Sequence, residues 1–227
     1  MNKCLICGQQ LHSFISLRFF FSLKEVPKSS FCSRCCAKLT PINQATACPG
    51  CGRSGHMNDT YCSDCQKWAK KYPDILVKHR ALFAYNDFAK SVMEQYKFQN
   101  DYVLAHGFVP FLQRMIHTYP EHMTIVPIPS SAIHFKKRGF VPTECLLKTS
   151  GLSYVKLLVH LGEAAQSGKT RKERLSTPQP FRRIENIDVP RKVLLFDDVY
   201  TTGRTLFYAK EILSPYVECI ESFSLFR

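Results

Sequence analysis

The 227-residue sequence has no uninterrupted apolar stretch of the roughly 18 to 20 residues that a membrane-spanning helix needs. Its longest candidate, FISLRFFFSL, is interrupted by Arg18 and by serines, so we expect no transmembrane helix. A secretory signal is also missing, because Cys4 and Cys7 occupy the place where its apolar region would begin. These absences predict a protein of the reducing cytosol, where paired cysteines indicate a metal rather than disulfides.

Acidic residues are scarce relative to basic ones. The 18 Asp and Glu stand against 31 Lys and Arg, which gives a formal net charge of +13. This surplus favours a polyanionic partner such as nucleic acid, although a solvated basic surface has the same composition. Hydrophobic residues make up 45% of the chain, enough to bury a core in one large or two small domains.

Cysteine is abundant in one region only. A two-residue gap lets both thiolates of a tight knuckle reach one ion, so four Cys-x-x-Cys pairs suit two tetrahedral zinc sites with a structural role. The spacing is compatible with two ways of combining the four pairs at two ions, either in sequence order or interleaved. Cys36 is a possible competing ligand. Gly8 and Gly52 follow two knuckles and suit a positive φ. The predicted ligands are Cys4, Cys7, Cys32 and Cys35 for one ion, and Cys48, Cys51, Cys62 and Cys65 for the other.

Beyond residue 67 the composition changes, which predicts a double zinc-ribbon domain over 1–67 and a second domain over 68–227. Apolar patterns in the second part predict strands that alternate with helices. This alternation is typical of an α/β fold with a mostly parallel sheet and helices on its faces. The predicted strands are 75–85, 124–129, 154–159, 191–198 and 219–226, and the predicted helices are one capped by Asp87, then 103–116, 143–150 and 204–213.

The stretch VLLFDDVYTTGRT, residues 193–205, combines an apolar strand, two acids and a turn into a helix. Ligands of parallel sheets gather beyond the carboxyl ends of the strands. Amides at a helix start and threonine hydroxyls suit a phosphate monoester, whereas Asp197 and Asp198 can accept hydrogen bonds from sugar hydroxyls. The order therefore predicts a ribose 5-phosphate, with a phosphate loop made of Thr201, Thr202, Gly203, Arg204 and Thr205.

The same stretch resembles the signature of type I phosphoribosyltransferases, which bind phosphoribosyl pyrophosphate with Mg²⁺. The resemblance implies that Asp197 and Asp198 contact ribose hydroxyls and that the loop after them holds the 5-phosphate. With the cysteine pairs and the segment VPIPSSAIHFKKRGF, the whole chain resembles the ComF family of bacterial competence proteins. Val141 and Pro142 depart from the Asn-Gln that usually follows RGF in that family, and Ser176 replaces its usual Asn.

The ComF resemblance implies a role with incoming single-stranded DNA in the cytosol, at the inner face of the membrane beside the DNA-uptake channel and its helicase. Two basic segments can serve this role or neutralise pyrophosphate, and a solvated surface is the alternative for each. The alternative function is an active phosphoribosyltransferase, whose acceptor the sequence does not identify. Further candidates are Ser130 and Ser131 for the diphosphate, and Lys136, Lys137, Arg138, Lys169, Arg171 and Arg174 for the basic segments.

Overall fold

A computed structural model describes residues 3–11, 30–55, 61–71, 78–162 and 179–227. No helix within these ranges is long and apolar enough to cross a membrane. The helices there are α1 Ser33–Lys38, α2 Ser63–Lys71, α3 Asp87–Phe98, α4 Ala105–Ile116, α5 Ala132–Arg138, α6 Pro142–Thr149 and α7 Arg204–Leu213. The strands are β1 Lys78–Phe83, β2 Thr124–Pro127, β3 Leu158–His160, β4 Phe181–Arg183, β5 Lys192–Val199 and β6 Cys219–Phe226.

A four-stranded parallel sheet in the order β1-β6-β5-β2 forms the centre of the fold. Strands β3 and β4 pair antiparallel as a separate two-stranded sheet. Because all four central strands run the same way, the carboxyl ends of β2 and β5 lie at the same edge. The α/β architecture with a parallel sheet and flanking helices, predicted from the sequence, is confirmed.

Both faces of the central sheet are buried, which explains the continuous apolar run in β5. Side chains alternate along a strand, so Leu194 and Phe196 join one apolar cluster whereas Val193 and Leu195 join another. The first cluster contains buried residues of α3, α4 and α6, and the second contains the apolar side of α7. The helices therefore cover the sheet from both sides.

Several predicted element bounds needed correction. Strand β5 spans Lys192–Val199, one residue later at each end than the predicted 191–198, and its pairing with β6 extends to Val199 opposite Phe226. The cap of α3 is Asn86, whose Oδ1 accepts the Ala89 N–H at 2.8 Å, and Asp87 is the first helical residue. Pro110 lies inside α4, which begins at Ala105 after a short 3-10 turn. The predicted bounds of α7 and β6 are confirmed.

The amino-terminal cysteine segments pack directly on this α/β core. Pro41 bridges to Phe83 of β1, and the ring of Phe31 lies 5.2 Å from that of Phe108 in α4. The first four-cysteine group contributes to one apolar cluster and the second group to the other. A domain boundary near residue 67 stays a prediction, since the segments on either side of it share these clusters.

Candidate functional site

Two groups of four cysteines are assembled in the described parts of the chain. Cys4, Cys7, Cys32 and Cys35 form the first group, and Cys48, Cys51, Cys62 and Cys65 form the second. The sulfur atoms of each group lie within 4.8 Å of one another. The structure therefore has the sequential pairing. The interleaved pairing is wrong, and Cys36 is in neither group.

Local backbone geometry explains why each group forms. The N–H groups of Gly8 and Gly52 bond to the carbonyls of Cys4 and Cys48, and both glycines adopt the predicted positive φ, +71° and +68°. Backbone N–H groups also point at sulfur: Cys32 N–H donates to Cys4 Sγ, and Cys62 N–H donates to Cys48 Sγ, both at 3.3 Å. Such bonds stabilise thiolates, the form that binds metal.

The sulfur distances fit a tetrahedral ion. A Zn–S bond of about 2.3 Å requires sulfur atoms about 3.8 Å apart in a tetrahedron. The distance is 3.7 Å between Cys7 and Cys32, 3.8 Å between Cys48 and Cys65, and 3.5 Å between Cys51 and Cys62. Each group is therefore able to hold a zinc ion with all four positions filled by sulfur, an arrangement typical of structural zinc.

A cavity of about 680 Å³ lies where β2 and β5 end. The chain segment 128–131 that follows β2 forms one side, and the last residues of β5 with the start of α7 form another. Ligands of parallel α/β sheets bind at this edge. Predicted site residues that line the cavity are Ser130, Ser131, Arg138, Asp197, Asp198, Arg204 and Thr205.

The two acids lie near the carboxyl end of β5, and their surroundings differ. Asp198 is buried, and one of its carboxylate oxygens lies 2.7 Å from Lys97 Nζ at the end of α3. Burial and then the neighbouring Asp198 charge raise the pKa of Asp197 to about 7. Both acids and Lys97 line the cavity. The site thus contains a salt bridge beside a carboxyl group whose pKa is raised.

The phosphate loop, residues 201–205, turns the chain from β5 into α7. Gly203 is the residue before the helix, with a φ of +80°, and it has no side chain to cap the first N–H groups. The Thr202 hydroxyl accepts the Arg204 N–H at 3.4 Å. Thr201 and Thr202 are exposed, and Arg204 and Thr205 reach the cavity. The amides at the start of α7 are an anion-binding arrangement.

Arg138 connects the cavity with the outer surface. It lines the cavity, and its buried Nε has no hydrogen-bond acceptor among the described residues. Its guanidinium carbon also lies 5.1 Å from the ring centroid of Phe98, and Lys137 Nζ lies 5.5 Å from the same ring. Phe98 is 54% exposed, so these three residues form a basic aromatic surface, which we call the Phe98 patch.

Other predicted residues lie elsewhere. Thr201, Thr202 and Gly203 are in the phosphate loop but do not line the cavity, and Lys136 and Lys137 are on the outer side of α5. Lys169, Arg171 and Arg174 lie outside the described residues. Sequence reasoning missed Lys97, His134 and His160, which line the cavity; no local spacing indicates them.

Comparison with known proteins gives the family of the chain. The competence protein ComFC of Streptococcus pneumoniae is 36% identical over 226 residues, which cover 99% of this chain and 100% of that protein. This chain belongs to the ComFC family. The ComFC of Bacillus subtilis is 31% identical over 230 residues, covering 99% of this chain and 94% of that relative. No protein-family model matches the chain.

Membership in the ComFC family confirms the resemblance inferred from the cysteine pairs and from the acid pair with its threonine loop. Both relatives align along nearly all of this chain, so the aligned range includes the segments of the cysteine groups as well as those of the sheet. The residues that line the cavity are therefore those of a ComFC-family protein.

Proposed function

We propose that this protein functions in bacterial competence, where it handles incoming single-stranded DNA in the cytosol and binds phosphoribosyl pyrophosphate with Mg²⁺. The proposal includes the competence helicase and the DNA-uptake channel as partners. Both curated relatives are named as competence proteins, which supports the cellular role. The acid pair at the cavity edge carries the molecular part of the proposal.

The charge distribution of the cavity supports a sugar phosphate as ligand. Asp197 and Asp198 supply hydrogen-bond acceptors for ribose hydroxyls at the end of β5. The start of α7 and Arg204 supply positive charge next to them, which suits the 5-phosphate. Arg138 and Ser131 suit the diphosphate: the arginine has an unused buried donor, and the Ser131 hydroxyl, although it accepts the His134 N–H, can still donate. Mg²⁺ would accompany the diphosphate.

Calorimetry with phosphoribosyl pyrophosphate tests the pocket. We expect Mg²⁺-dependent binding to the wild type and about 10- to 100-fold weaker binding to Asp197→Ala, because a hydrogen bond to a charged group contributes about 1.5–3 kcal/mol. Asp188→Ala removes an exposed acid outside the cavity and serves as the matched control. Absence of Mg²⁺-dependent heat with the wild type would overturn the proposal.

We further propose that each cysteine group holds a structural zinc ion. Its support is the sulfur geometry described above, in which no position remains for water or substrate. Metal analysis of the purified protein should give two zinc ions per chain, and Cys48→Ser should lower this to one. A wild-type protein with one zinc ion or none, isolated under reducing conditions, would contradict this assignment.

The Phe98 patch supports the single-stranded DNA part of the proposal. Proteins that bind single strands combine basic side chains for the backbone with aromatic rings on which bases stack. Phe98 lies beside Lys137 and Arg138, and Phe135 of the same basic helix is 48% exposed. The predicted basic residues 169–174 lie outside the described parts of the chain, so the patch rests on α3 and α5 alone.

Fluorescence anisotropy with a labelled oligothymidylate tests this surface. Lys137→Glu should weaken binding because one phosphate contact is lost. For the same reason, the slope of log affinity against log salt concentration should become less steep by about one. Lys192→Glu makes the same charge change at the amino end of β5, opposite the cavity edge, and is the control. Phe98→Ala should weaken binding with an unchanged salt slope. Equal effects of both lysine variants would indicate non-specific attraction.

A second candidate function is transfer of ribose 5-phosphate to an acceptor. The raised pKa of Asp197 favours it, since a carboxyl group that titrates near pH 7 can accept the proton of an attacking group. Pyrophosphate release that depends on one added acceptor and is lost in Asp197→Asn would support transfer. If no member of a panel of nucleobases and amines causes pyrophosphate release, the result would favour binding without turnover.

A further inference from the structure

We propose that the second cysteine group, Cys48 to Cys65, positions the phosphate loop, with Arg227 and Trp68 as the positioning residues. In this arrangement a metal at the group fixes the backbone that holds the 5-phosphate. The inference rests on the proposed function for its ligand, but the mechanical connection is a separate claim. Two independent sets of contacts carry it, one from each half of the group.

Arg227 connects the first half of the group with the loop. Its Nε–H donates to the Cys51 carbonyl at 3.1 Å, and a terminal N–H donates to Cys51 Sγ at 3.2 Å. The other terminal nitrogen donates to the Thr201 carbonyl at 3.2 Å. Because the guanidinium is planar and rigid, one group sets the distance between a metal-binding knuckle and the loop.

The backbone and ring contacts of Arg227 hold this connection in place. Its own N–H and carbonyl bond to Phe83 and Tyr85 at the end of β1, both at 2.9 Å. Its guanidinium carbon lies 4.6 Å from the ring centroid of Tyr200, the residue directly before the loop. The arginine is therefore anchored to the sheet and has little freedom to follow a displaced knuckle.

Trp68 connects the second half of the group with the same loop. Helix α2 begins directly after Cys62 and contains Cys65, so a metal at these sulfurs fixes the start of the helix. One turn further on, Trp68 Nε1–H donates to the Thr202 carbonyl at 2.9 Å. The indole also stacks on Phe207 of α7 at 4.2 Å. Both the loop and the helix that follows it are thus held by α2.

These contacts orient the loop amides through peptide geometry. In a planar trans peptide the carbonyl of one residue and the N–H of the next point in opposite directions. The Thr201 and Thr202 carbonyls are directed to Arg227 and Trp68. The N–H groups of Thr202 and Gly203 therefore point away from Arg227 and Trp68. Release of either carbonyl would let its peptide rotate.

Variants that leave the cysteines intact test the connection. Trp68→Phe keeps a ring on Phe207 but lacks the N–H, and Arg227→Met keeps the apolar stem but lacks all donors. By calorimetry with ribose 5-phosphate, we expect each to bind about fivefold more weakly, the loss of one backbone-orienting hydrogen bond. Arg53→Ala is the matched control, because it removes an exposed ion pair with Asp64 beside the same cysteine group. Unchanged affinity in both variants would overturn the inference.

Hydrogen exchange separates this inference from the ligand assignment. Removal of zinc by a chelator, Trp68→Phe and Arg227→Met should each speed exchange of the amides of residues 201–204 more than that of the core strand β6. Arg53→Ala should leave this exchange unchanged. If the wild type binds neither ribose 5-phosphate nor phosphoribosyl pyrophosphate, the proposed function fails while exchange still decides the connection. Protection of 201–204 that is unaffected by metal and by both variants would refute it.

Discussion

The substitution Gly203→Ala tests the geometry of the phosphate loop most directly. Gly203 has a φ of +80°, a conformation that costs an L-residue about 1–2 kcal/mol. A Cβ atom at this position would also lie 2.2 Å from the Tyr200 hydroxyl oxygen and 2.6 Å from the ring carbon that carries it. Two separate penalties therefore apply to a single added methyl group.

The second penalty is substantial because Tyr200 cannot move away easily. Its side chain is 4% exposed, and its ring lies 4.5 Å from the ring of His79 and 4.6 Å from the guanidinium carbon of Arg227. Overpacking of this kind costs about 1–3 kcal/mol. We expect Gly203→Ala to lower the free energy of unfolding by about 2–5 kcal/mol in total.

Gly151→Ala is the matched control for this substitution. Gly151 also has a positive φ, +65°, but a Cβ there would meet nothing within 4 Å. It should therefore show the conformational penalty alone, about 1–2 kcal/mol. Urea denaturation of the zinc-loaded proteins measures the free energy of unfolding of both variants. Their melting temperatures should differ by about 2–4 °C for each kcal/mol of difference in stability.

A double-mutant cycle identifies the clash itself. Tyr200→Phe removes the hydroxyl that Cβ would approach most closely, so Gly203→Ala should cost less in that background than in the wild type. The reasoning is refuted if Gly203→Ala and Gly151→Ala destabilise the protein equally, or if the cost of Gly203→Ala is the same with Tyr200→Phe.

Four further predictions concern the acids and the metal. Lys97→Met should lower the free energy of unfolding in urea by about 3 kcal/mol, since it leaves the buried Asp198 carboxylate unpaired, and Asp198→Asn should restore part of the loss. Asp197 retains a proton in the folded state that the unfolded chain releases, so stability should fall as pH rises from about 4 to 7, and Asp197→Asn should abolish this fall. Affinity for Mg²⁺ and phosphoribosyl pyrophosphate should rise from pH 6 to 8 in the wild type more than in Asp197→Asn, by calorimetry. Chelation of zinc should shift the fluorescence of Trp68, the single tryptophan, to longer wavelength as it leaves Phe207.

Features governed by neighbouring residues were predictable from the sequence. The gap within each Cys-x-x-Cys pair fixes a knuckle, and the apolar run before Asp197 fixes a strand buried on both faces. The bounds of α7 and β6 followed from their apolar patterns and flanking residues. Strand β5 was predicted to end one residue early, because Val199 belongs to the strand through its pairing with Phe226 of β6.

Features that join distant segments required the tertiary structure. Lys97 reaches Asp198 across 101 residues of sequence, Trp68 reaches Thr202 across 134, and Arg227 reaches Cys51 across 176. No local periodicity or spacing encodes such contacts, because they arise when separate elements pack on one sheet. The sequence by itself determined the knuckles, the central strands and the acid-threonine loop. Packing alone decided which cysteines share a group, which cation neutralises Asp198 and what holds the loop.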